Sequence, residues 1–170
     1  MVPNNSGYNI YMITFNQMAL RLVVAILLGA LVGIEREIAG REAGLKTGLT
    51  VAAGSAMFAI VGLQLPYIVA LSQSGLPEII ARNSGFLAVI ANIVVGVGFL
   101  GAGVIIKTDK HIHGLTTAAG IWVTAAIGVL VGIGLIEFAA FAAATVTLLF
   151  YLIRKSNIEP KIRPLEPEEV

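Results

Sequence analysis

The chain has 170 residues, 57% hydrophobic and 12% charged, with Lys and Arg numbering 11 against 10 Asp and Glu, a net charge of +1 and no cysteine. Such a composition lies outside the usual range of a soluble globular domain, and the near-neutral balance offers no basic footprint for nucleic acid, so none is expected as a partner. Disulfides and thiolate chemistry are excluded.

The medium this composition fits is lipid, where a helix needs about twenty apolar residues to cross about 30 Å of hydrocarbon. Residues 1–14 begin M-V-P-N-N-S-G-Y. They lack the basic start and small-residue cleavage site of a signal peptide, so the first span is expected to be retained and 1–14 to lie outside the cytoplasm. The spans are predicted at 18–34, 47–65 and 86–106, followed by a nearly unbroken apolar run from Leu115 to Ile153. As one helix that run would be about 58 Å long, so it must fold back. Gly132, Gly134 and Glu137 mark the hairpin, giving spans at 115–133 and 136–153. The fold class is thus all-α, a five-helix transmembrane domain over 15–153. The proline-rich, charged residues 154–170 are expected to form a short disordered cytoplasmic tail.

With five spans, one side of the membrane receives Arg36, Arg41 and Lys46, then Lys107 and Lys110, then Arg154, Lys155, Lys161 and Arg163. The positive-inside rule places that side, with the C-terminus, in the cytoplasm.

Glycines crowd the third span, where A-N-I-V-V-G-V-G-F-L-G-A-G-V-I-I carries Gly96, Gly98, Gly101 and Gly103. Gly96, Gly98 and Gly101 spell G-x-G-x-x-G, yet no turn signal precedes them and positions 115 to 125 hold no acid to bind a ribose, so the dinucleotide reading fails. Small residues admit neighbouring helices where lipid supplies no hydrophobic drive. On that ground the third span is expected at the centre of the bundle, meeting Gly29 and Gly33 of span one and the stripe Thr117, Gly120, Thr124 and Gly128 of span four. The competing reading is that glycine carbonyls line a cavity or that the span is locally unwound.

Intramembrane polar groups mark a pathway or a pair, and here they are Arg21, Asn92, Thr117 and Thr124. Between Arg21 and Glu35 lie thirteen apolar residues, about 20 Å of helix, which is short of the hydrocarbon thickness. Either both ends snorkel to opposite interfaces, or Glu35, Arg36, Glu37, Lys46 and Thr47 build a polar cluster at the cytoplasmic mouth. Asn92 is expected to make a helix–helix hydrogen bond in preference to binding a ligand. Asp109, His111 and His113 alternate in a short loop and are weak candidates for a metal, since a stable site needs a fourth ligand or an enclosed cavity. No nucleophile with its base, catalytic carboxylate pair or phosphate cradle is present; neither enzymatic activity nor a cofactor is expected.

The segments L-R-L-V-V-A-I-L-L-G-A-L-V-G-I-E-R-E (20–37), A-G-L-K-T (43–47), G-V-G-F-L-G-A-G-V-I (96–105) and G-L-T-T-A-A-G-I-W-V (114–123) resemble, in order, the MgtC/SapB family of bacterial inner-membrane proteins. The resemblance implies a multi-pass inner-membrane bundle, linked to adaptation to low magnesium and, in pathogens, to survival in host cells. It further implies a role in controlling other membrane proteins. Where relatives carry an arginine and a glutamine at the head of the glycine-rich helix, this chain has Ala88 and Asn92; where they carry a histidine entering span two, it has Gly48. The expected function is an accessory or regulatory factor, in contact with lipid, another membrane protein and copies of itself. A small channel or transporter is the alternative.

Overall fold

The computed structural model describes residues 13–69, 85–107 and 112–156. They form α1 (Phe15–Ile38), α2 (Leu45–Val69), α3 (Gly85–Gly103), the two-residue strands β1 (Ile106–Lys107) and β2 (Ile112–His113), α4 (Leu115–Ile133) and α5 (Ile136–Lys155). The architecture is an all-α membrane bundle. Helices α1, α2, α4 and α5 are long and apolar enough to cross a membrane, and α3 adds a shorter apolar stretch over Leu87–Gly103.

Local chemistry sets the boundaries. Thr14 and Gln17 close a capping box at the start of α1, the Thr14 hydroxyl accepting from the Gln17 N–H at 3.4 Å and the Gln17 side chain accepting from the Thr14 N–H at 3.0 Å. With 24 residues, α1 is about 36 Å long, so it outruns the apolar zone and carries Glu35, Arg36 and Glu37 on its last turns. Between α4 and α5 the chain reverses at Gly134, whose φ of 98° suits the residue after a helix end, and the Leu135 N–H returns to the Leu130 carbonyl at 2.9 Å. Gly132, expected to help mark this hairpin, stays inside α4. The third span ends at Gly103, earlier than expected. Ile106 and Lys107 instead pair antiparallel with His113 and Ile112.

The expected centre of the bundle is corrected. Helix α4 touches each of the other four helices, while α3 is peripheral and packs on α2 and α4. Gly96, Gly98 and Gly103 meet no neighbouring atom within 4 Å of a would-be Cβ, and Gly101 makes only ordinary contact with Ala118. A glycine permits close approach without guaranteeing that a neighbour arrives.

The close approaches lie in the seam of α1, α2 and α4. A Cβ on Gly29 would stand 2.5 Å from the Gly48 carbonyl oxygen, one on Gly132 would stand 2.7 Å from that of Ala56, and one on Gly128 would collide with the backbone of Ala52. Alanines fill the rest of the interior: Ala25, Ala52, Ala56, Ala125, Ala139 and Ala143 are buried. The large apolar side chains point outward, among them Leu27, Phe141 and Leu148. Small residues inside and large ones outside suit a bundle whose helices gain by contact and whose surface faces hydrocarbon.

Candidate functional site

The α1–α2 loop, the β1–β2 hairpin, the start of α4 and the end of α5 meet at one end of the bundle, and most of its charges converge there. Glu35 and Arg36 are sequence neighbours that a helix would point about 100° apart, yet both turn inward and are buried at 6% and 5% exposure. The Arg36 Nε donates to Glu35 Oε2 at 2.7 Å, and the Arg36 guanidinium lies 3.7 Å from the centre of the Phe150 ring. Gly120 borders this guanidinium stem, a Cβ there falling 3.8 Å from Arg36 Cδ. The other carboxylate oxygen, Glu35 Oε1, is buried without a hydrogen bond, and Arg154 Nε at the end of α5 approaches it to 3.8 Å.

A buried ion pair is costly to break, because removing one member strands the other charge at about 3–5 kcal/mol. The ring contact adds the attraction of a cation for an aromatic face, about 2 kcal/mol where water is excluded. Together they fasten α1 to α5.

Two further carboxylates tie the α1–α2 connection. Glu37 Oε2 accepts from the Leu45 N–H at 2.7 Å and so caps the start of α2, where the free N–H groups favour a negative charge. Glu42 Oε2 accepts from the hydroxyl of buried Thr117 at 3.0 Å, linking the loop to the first turn of α4. Hydrogen bonds from backbone and from Thr117, with lesser help from Arg41 and His113, hold the Glu42 carboxyl below its ordinary range.

Not every expected member of this cluster joins it. Lys46 is exposed on the first turn of α2, and the third charge is Arg154 instead. Thr47 borders, with Arg36 and Thr124, a void of about 10 Å³, at the lower limit for one water. The Thr124 hydroxyl donates to the Gly120 carbonyl one turn back at 2.8 Å. Asp109 and His111 lie outside the described residues. His113 stands exposed on β2, and no cluster of three metal-ligating side chains occurs among the described residues.

At the opposite end Arg21 does not pair with Glu35. Its Nη1 donates to the Gly132 carbonyl at 2.7 Å, a cation at the carbonyl end of α4. Buried Gln64 of α2 accepts from the Ile13 N–H at 3.3 Å and donates to the Ile13 carbonyl at 3.2 Å.

Asn92 is exposed and makes no helix–helix hydrogen bond among the described residues. It borders an open groove of about 670 Å³ between α2 and α3, together with Thr50, Gly54, Ser55, Phe58 and Gly96. Sequence reasoning missed Glu42, Gln64, Phe150 and Arg154. The available signal was topological, since five spans bring the loop holding Glu42, the start of α4 and the end of α5 to one side.

Residues 22–158 match the MgtC family. The chain is 40% identical over 133 residues to the protein MgtC of Brucella abortus (strain 2308), covering 78% of this chain and 50% of that protein. It is 42% identical over 130 residues to the protein MgtC of Salmonella typhimurium (strain LT2), covering 76% and 48%. It is 38% identical over 133 residues to the protein YhiD of Escherichia coli (strain K12), covering 76% and 57%; that protein's name carries a provisional assignment as a magnesium transporter. The chain thus spans about half the length of the curated relatives it matches. No solved structure matches it.

Proposed function

This chain belongs to the MgtC family, and we propose that it is a regulatory or accessory protein of the bacterial inner membrane, serving adaptation to magnesium limitation through contacts with other membrane proteins. One observation carries the choice of a regulator over a conduit: most polar groups inside the bundle are used by the bundle itself, although Glu35 Oε1, Thr147 Oγ1 and Ser55 have no hydrogen bond among the described residues. Glu35 is held by Arg36, Arg36 also by Phe150, Thr124 by its own helix and Thr117 by Glu42. Backbones in near contact at Gly29, Gly48, Gly128 and Gly132 fill the seam that a route would need. A conduit requires polar side chains free to exchange partners with a passing solute; a regulator requires outward faces. The reading involves no catalytic step.

The basic residues of the loops and of α5 favour a cytoplasmic charge cluster and C-terminus. An export-dependent reporter active at the C-terminus would contradict that orientation.

The transporter reading draws on the name of YhiD and predicts magnesium uptake by vesicles containing this protein alone. The direct test of the regulatory reading is purification from the native membrane in mild detergent, followed by mass spectrometry. A membrane protein should co-purify in stoichiometric amount and be lost when Glu35→Ala loosens the cluster. A chain recovered without any partner would overturn the proposal.

A further inference from the structure

Helix α3 turns one face to the bundle, through Val97 and Gly101, and presents the other outward. About 140° from Val97, on a helix of 100° per residue, lies the stripe of Asn92, Gly96, Phe99 and Gly103. Phe99 is 80% exposed, and the two glycines meet nothing within 4 Å. Asn92 sits about 10 Å along α3 from its start, at the depth of hydrocarbon. A carboxamide there, with two donors and an acceptor and no partner among the described residues, is too costly to leave facing acyl chains.

A second polar group opens into the same place. Ser55 of α2 is only 4% exposed, lines the groove between α2 and α3, and has no hydrogen-bond partner among the described residues.

We infer that this face is the seam of a homodimer, in which α3 of a second copy lies in the groove and the two Asn92 carboxamides bond to each other across a two-fold axis. The choice of a second copy follows from self-complementarity. A carboxamide both donates and accepts, so an identical group opposite satisfies it, as a buried asparagine does in fixing a two-stranded coiled coil. One stripe also carries both the protrusion, Phe99, and the recesses, Gly96 and Gly103, which is the property an isologous interface demands. Ser55 supplies a further hydroxyl within the groove that receives the second copy's helix. The inference goes beyond the regulatory reading and does not depend on it.

The absence of cysteine from the chain makes the test clean. Phe99→Cys, oxidised with copper phenanthroline in native membranes, should give a covalent dimer, whereas Leu27→Cys on the outer face of α1 should not. Adding Asn92→Leu should lower the dimer yield about tenfold, the scale of one interhelical polar contact, and Asn92→Gln should largely restore it. Because Asn92 has no hydrogen-bond partner among the described residues, the monomer should melt unchanged in each variant, which separates loss of pairing from loss of fold. Three results would overturn the inference: no dimer from Phe99→Cys, a dimer indifferent to leucine at 92, or adducts formed only with other proteins.

Discussion

At the scale of single residues, the Glu35–Arg36 pair is the feature with the largest stake. The sequence marks both, because they close an apolar run, but it places Arg154 in the cytoplasmic tail, as one of the basic residues that set the orientation. Only the return of α5 beside α1 brings that cation to 3.8 Å from Glu35 Oε1. Arg36→Leu should cost about 3–5 kcal/mol, seen as a large fall in melting temperature in detergent, because it strands a buried carboxylate. The double variant Glu35→Leu with Arg36→Leu should recover part of that loss, and a double variant no better than the single one would count against a paired charge.

Glu42 makes a separate, pH-dependent contribution. Its carboxyl titrates below its ordinary value of 4.5 when folded, so the stability it lends is present above that value and lost as pH falls through the lowered one. The melting difference between the wild type and Glu42→Ala should therefore stay constant from neutral pH down to about 5 and close only below about 4.5. A difference that persists unchanged well below that range would count against Glu42 as the titrating group.

At the scale of helices, number and approximate position were legible, because hydropathy runs of this length permit little else in a membrane. The central helix was not. Glycine density singled out α3, yet the glycines that backbones actually meet are spaced among alanines and threonines in α1, α2 and α4, where they stand out less. A second difference has a chain-geometric cause: the apolar run continues past Gly103 into Ile105 and Ile106, so composition extends the span while the backbone has already turned into the hairpin. These assignments separate two substitutions of identical chemistry. Gly128→Leu would drive a side chain into the backbone of Ala52 and should destabilise the bundle by 3 kcal/mol or more, since overpacking by even a few methylenes costs about 1–3. Gly98→Leu enters open space and should leave melting unchanged or slightly raised, glycine being about 1 kcal/mol worse than alanine in a helix. Equal losses in the two variants would return α3 to the centre.

At the scale of the molecule, two properties stand together: an interior of small residues with internally paired charges, and an outer surface of large apolar side chains broken by the groove between α2 and α3, a mostly apolar cleft that holds Thr50, Ser55 and Asn92. The interior accounts for stability and leaves little for a solute to bind. The groove is where another helix can be received. Membership of the MgtC family agrees with the sequence resemblance carried by the segments at 20–37, 43–47, 96–105 and 114–123. The most direct measurement of the central claim is ion flux across liposomes reconstituted with this protein alone. The account predicts a rate equal to that of protein-free vesicles, unchanged by Glu35→Ala; a saturable flux abolished by that substitution would contradict it.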